Sequence, residues 1–134
     1  MSPNDTVQDW TTTRERVKAW AVSDDAPRSA AGIACETMVN LDETRNILAA
    51  LVADGVVVRV ERGGVVRFGP NRDRMREEAE EMLADTDVRE LRKRRDRLVK
   101  RLHNVDNEVG KRLIVYWLRI IDIALLTAEA GDSA

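Results

Sequence analysis

Residues 29–70 read SAAGIACETMVNLDETRNILAALVADGVVVRVERGGVVRFGP, and the order of elements in this stretch sets the architecture of the chain. Ser29 is placed to cap a short helix, Ala30 to about Thr37, whose inward residues are Ile33 and Ala34. Met38-Val39-Asn40 is a tight connection. Asn40, with Glu43 three positions on, is a variant of the capping box and opens a helix from Leu41 to Asp54. Ile47, Leu48, Leu51 and Val52 form its apolar stripe, and Gly55 follows as the glycine that ends it. Val56 to Val60 is β-branched. Arg62-Gly63-Gly64 is a hairpin turn signal, Val65 to Phe68 is the return strand, and Gly69-Pro70-Asn71 closes it. A two-stranded hairpin is unstable alone, so it must lean on the helices before it.

Upstream, TTTRERVKAWAVS (11–23) predicts a first helix capped by Thr12 or Thr13, with Val17, Trp20 and Ala21 at helical spacing. Asp24 to Pro27 breaks it. Downstream, a helix starts at Asn71 or Asp73 and runs to about Ala84, with Met75, Ala79, Met82 and Leu83 inward. Asp85-Thr86-Asp87 can cap the next helix. Leu91, Leu98, Leu102, Val105 and Val109 then have near-heptad spacing, resumed at Leu113, Tyr116, Ile120 and Ile123. The irregular step at Val109 is either a stutter or a break, and the cluster of Asn104, Asn107 and Gly110 favours the break. The last helix, Lys111 to about Ala128, is apolar on more than one face. A chain this small can hardly bury it alone, which predicts a dimer built on Leu98, Leu102, Leu113, Tyr116, Trp117, Ile120 and Ile123.

Composition narrows the remaining classes. The chain has 134 residues, with 43% hydrophobic and 34% charged, enough apolar matter for a core and too little net bias for disorder. One Cys (Cys35) excludes an internal disulfide, and one His (His103) excludes the usual multi-histidine metal sites, so no metal or cofactor is expected. Cys35 is expected as a small buried or half-buried filler, His103 as a surface or interface residue, and Trp10, Trp20 and Trp117 as packing anchors. No apolar run is long enough for a membrane span and no signal-peptide core is present, which predicts a cytoplasmic protein without membrane contact. Net charge is −2, so total charge does not itself indicate nucleic acid. Its distribution is segregated: Glu77 to Asp87 carries only acidic charges, while Arg89 to Arg101 holds eight basic residues against Glu90 and Asp96. Such blocks suit a solvated helix pairing with a neighbouring helix or partner chain; the alternative is a phosphate-contacting patch. Nothing supports an enzyme.

Three helices followed by a hairpin is the order of a winged helix-turn-helix, so the predicted fold class is mainly α with a small β-hairpin. The expected division is a winged head at 9–70 and a helical dimerisation extension at 71–130. The run Leu48-x-x-Leu51-Val52-x-Asp54-Gly55-Val56 resembles the hinge between recognition helix and wing in ArsR-like repressors. From Asp9-Trp10 to about residue 103 the chain resembles short haloarchaeal winged-helix proteins, which have a tryptophan ahead of helix one and a charged helical extension. The resemblance implies an archaeal transcriptional regulator binding double-stranded DNA as a homodimer. In such a fold the third helix enters the major groove and the hairpin reaches along the backbone. The outer face of that helix presents Leu41, Asp42, Arg45, Asn46 and Ala49; Arg45 can pair bidentately with guanine and Asn46 with adenine. Asp42 and Glu43 stabilise the helix start but repel phosphate. Arg62, with Arg59 or Arg67, is placed for backbone or minor-groove contact, and Arg28 and Ser29 for a phosphate at the second helix. The acidic helix opening and the near-neutral total also fit a second reading, a winged-helix module that binds protein and not DNA.

Overall fold

The computed structural model describes residues 12–24 and 26–132. Among these, six helices and one antiparallel hairpin occur in the order α1 (Thr13–Ser23), α2 (Ala30–Thr37), α3 (Leu41–Ala53), β1 (Val57–Arg62), β2 (Val65–Pro70), α4 (Arg72–Asp85), α5 (Val88–Asn104) and α6 (Glu108–Asp132). The chain is mainly helical and divides into two compact units, Met1–Asn71 and Arg72–Ala134. Trp10 lies outside the described residues.

In the first unit, α1, α2 and α3 pack on one another and the hairpin packs against them. Each helix start has a side-chain cap. Thr12 Oγ1 accepts from the Glu15 amide, Ser29 Oγ from Gly32, and Asn40 Oδ1 from both Asp42 and Glu43. These bonds satisfy amides that no helical carbonyl reaches. The core gathers Val17, Trp20, Val22, Ile33, Leu48, Leu51 and Val57. The stripe expected on α3 is present in part and extends to an unexpected residue: Leu48 and Leu51 are buried with Thr44, while Ile47 and Val52 are half-buried. Thr44 reaches the core because its hydroxyl donates back to the Asn40 carbonyl at 2.9 Å, leaving its methyl to pack. The end of α3 is a Schellman motif. The Val56 amide donates to Leu51 O and the Gly55 amide to Val52 O, with Gly55 at φ +78°.

In the second unit, α4 and α5 both pack against α6. Asp87 caps α5 by accepting from the Glu90 amide. The predicted break is present but narrower than the sequence suggested. Asn107 Oδ1 accepts from the Val109 and Gly110 amides, so α6 begins at Glu108 and both Val109 and Gly110 are buried helical residues. This unit also corrects the argument that α6 needs a second chain for its burial. Flanked by α4 and α5, it buries Ile114, Tyr116, Ile120, Ile121 and Ala124 within one chain. Tyr116 and Ile120 are therefore core residues and belong to no exposed seam. Leu98, Leu102, Leu113 and Ile123 are half-buried, and Trp117 is 39% exposed. Trp20 packs as expected, whereas Trp117 is only partly engaged. Among the described residues no helix is long and apolar enough to cross a membrane.

Candidate functional site

The first unit presents two exposed features that its packing holds in place, the outer side of α3 and the tip of the hairpin. The connection from α2 to α3 is short because Met38 takes a left-handed conformation, φ +58° and ψ +35°, which turns the chain within a single residue. Its amide closes α2 by donating to Ala34 O, and the Val39 amide reaches the same carbonyl at 3.2 Å. Arg16 on α1 buttresses this corner, donating from Nη1 to the Thr37 carbonyl at 3.3 Å, while the buried Thr37 hydroxyl donates to Ile33 O at 2.7 Å. The side chain of Met38 is 88% exposed, directly ahead of α3. The sequence offered no signal for it, because a left-handed methionine has no sequence signature comparable to a glycine.

On α3, Asp42, Asn46, Ala49 and Ala53 follow one another at helical spacing and are all exposed; Arg45 is exposed on their flank. The face is thus about 17 Å long at 1.5 Å per residue, and its alanines leave room for close approach. Leu41, expected on this face, is half-buried. At the other end of α3, Arg14 of α1 pairs with Asp54 at 2.8 Å, tying the helix to its neighbour.

The hairpin register is Val57 opposite Pro70, Arg59 opposite Phe68 and Arg62 opposite Val65. The two-residue turn consists of Gly63 and Gly64, at φ +57° and +77°, the pair of positive values a type I′ turn requires. Because side chains alternate along a strand, this register settles what the sequence left open. Arg62 and Arg67 share a face with Val60 and Val65, while Arg59 lies on the opposite face, paired with Glu61 at 3.5 Å. With Pro27, those four residues line a shallow groove of about 220 Å³. Pro27 sits over the strand where Gly69 has no side chain; a Cβ there would lie 3.4 Å from its ring.

Arg28 and Ser29 are held for structural purposes. Arg28 forms an isolated antiparallel bridge with Phe68, exchanging hydrogen bonds at 2.9 and 2.7 Å, so the segment between α1 and α2 adds a third backbone to the hairpin. Its guanidinium pairs with Asp24. Ser29 Oγ is occupied as the α2 cap. Cys35, expected buried or half-buried, is exposed, because α2 turns Ile33, Ala34 and Thr37 inward. His103 is exposed, its Nδ1 2.8 Å from the Val99 carbonyl. Among the described residues no group of three or more His, Cys, Asp or Glu side chains could hold a metal ion.

Residues 11–111 match a family described only as of unknown function (DUF7342). No curated protein and no solved structure matches the chain.

Proposed function

The chain belongs to the family of unknown function DUF7342, and from that starting point we propose that it is a sequence-specific DNA-binding transcriptional regulator acting as a homodimer. The head is a winged helix-turn-helix in this reading. One observation carries it: α2, a one-residue left-handed turn and α3 form a corner whose outer side is exposed along α3, while a hairpin with Arg62 and Arg67 on one face follows immediately. The bridge at Arg28 supports it further, since it couples the hairpin to the segment that opens α2.

Arg45 and Asn46 read base edges in the major groove in this proposal, and Arg62 and Arg67 contact the backbone of the same duplex. Arg59 contributes less, being turned to the other face and paired with Glu61. Asp42 and Glu43 are exposed at the start of α3 and oppose phosphate, so the α3 start stands off the backbone and the wing supplies the attraction.

Fluorescence anisotropy on the promoter region of the protein's own gene, followed across a salt series, tests the proposal. An affinity whose logarithm falls linearly with the logarithm of salt concentration, together with preference for one site over random duplex, is the expected result. Absence of any duplex binding at low salt refutes it and leaves the protein-interaction reading, which the exposed carboxylates of Asp42 and Glu43 favour.

A further inference from the structure

In the second unit, Trp117 is the largest exposed aromatic surface among the described residues, and it is not isolated. It lies in a groove of about 370 Å³ whose other lining residues are Glu78, Glu81, Met82, Asp85 and Thr86 on one side and Arg94 on the other. The acidic side comes from α4, where Glu78, Glu81 and Asp85 follow one another at i, i+3 and i+7. The basic side comes from α5, where Arg94, Arg97 and Arg101 repeat the same spacing. Both rows therefore run along one flank of a helix for about 10 Å. Arg94 and Arg97 share Glu90 on their own helix, Arg74 pairs with Glu78, and Glu81 and Asp85 make no hydrogen bond or ion pair among the described residues.

A negative row and a positive row, the latter reaching the groove at Arg94, on either side of a short apolar strip formed by Met82 and Trp117 make a self-complementary surface. If a twofold axis runs along the strip, the acidic row of one copy faces the basic row of the other, and the two strips meet. We propose that this groove is the homodimer interface, occupied by the same groove of a second copy, with Trp117 of each copy at its centre and Glu81 and Asp85 opposite the partner's Arg94 and Arg97. The proposal deepens the homodimeric part of the function proposed above and is independent of DNA. It also replaces the seam expected from Tyr116 and Ile120, which are buried in the chain's own core. Exposed ion pairs are individually weak, so they set register and specificity while the buried tryptophans supply most of the affinity.

Sedimentation equilibrium of the full chain without DNA tests this. The wild type is expected to be dimeric at tens of micromolar, with self-association weakening modestly as salt rises. The pair Glu81→Arg with Asp85→Arg, and separately Arg94→Glu with Arg97→Glu, should each weaken self-association roughly tenfold or more by setting like charges opposite each other. Mixing the two variants should restore association as a heterodimer, which an unfolded variant could not do. Trp117→Lys, at a position 39% exposed, should be monomeric at the same concentration while keeping the helical circular-dichroism signal of the wild type. A monomeric wild type at low salt, a mixture no tighter than its components, or a Trp117→Lys protein that dimerises normally would each overturn the proposal. A monomer that still binds a DNA half-site would overturn this interface while leaving the DNA reading intact.

Discussion

Arg45 stands exposed on the flank of α3 with no ion pair among the described residues, and Arg62 stands exposed at the hairpin tip in the same condition. In the proposed complex they play different parts, and substitution separates them. Arg45→Ala should cost about 1–3 kcal/mol on the preferred site and relax discrimination at one base pair. Arg62→Ala should weaken binding to all duplexes alike and reduce the salt slope by about one. Anisotropy titrations on matched and mismatched duplexes distinguish the two outcomes. Met38 carries a stability prediction of its own. Its left-handed backbone disfavours a side chain with a Cβ, and at 88% exposure that side chain contributes little packing. Met38→Gly should raise stability by about 0.5–1 kcal/mol, read as a higher midpoint in urea unfolding, the relief of strain outweighing the added freedom of the unfolded chain.

Tyr116 gives a clean pH probe because it is the chain's only tyrosine. Burial, reinforced by the negative charge of Glu78 and opposed by Arg74, pushes its phenol up from 10.0 to about 12. The folded state therefore keeps the proton that the unfolded state gives up near pH 10. The stabilisation is fully present below pH 10 and is lost as pH rises from about 10 towards about 12. Spectrophotometric titration of the native protein should show no phenolate absorbance near pH 10, where the urea-unfolded chain is half-ionised. Coincident titration curves would contradict the burial of this side chain.

At the scale of elements, the caps explain why the helix starts were legible. Thr12, Ser29, Asn40 and Asp87 each carry an oxygen that a short local sequence can place on a free amide, with no help from the rest of the chain. Asn40→Ala should cost about 0.5–2 kcal/mol, since it strips acceptors from two amides at once. The hairpin turn is equally local. A Cβ built on Gly63 or Gly64 meets nothing within 4 Å, so the constraint there is the positive φ alone. Gly63→Asn should keep the turn, whereas Gly64→Val should destabilise the hairpin by about 1–2 kcal/mol. Thermal unfolding of the two variants checks the contrast. The α3 stripe was less legible. Ile47 and Thr44 exchange the burial that hydrophobicity alone would assign, because a threonine whose hydroxyl bonds its own helix packs as a small apolar residue.

At the scale of the whole molecule, the proposed reading of one operator by two heads depends on pairing two copies. Two α3 helices reading one operator must lie about 34 Å apart on one face of the dimer. Duplexes with half-sites spaced by one helical turn should therefore bind more tightly than those offset by half a turn, a contrast that anisotropy can read. If spacing has no effect, the two heads do not engage one duplex together.

Sequence alone determined what depends on neighbours a few residues apart: the capped starts of α1, α2, α3 and α5, the Gly55 stop, the Gly63-Gly64 turn and a break somewhere between Asn104 and Gly110. In each case a side-chain oxygen or a positive φ acts on its own stretch of backbone. Tertiary structure decided what depends on distant partners. Strand register placed Arg67 with Arg62 and sent Arg59 to the other face. The packing of α4 and α5 on α6 drew Tyr116 and Ile120 into a core that the chain completes by itself, and left Trp117 in a groove between an acidic and a basic helix flank. A helical pattern shows which residues are apolar, but which of its apolar faces is covered, and by what, is set only when the other helices arrive.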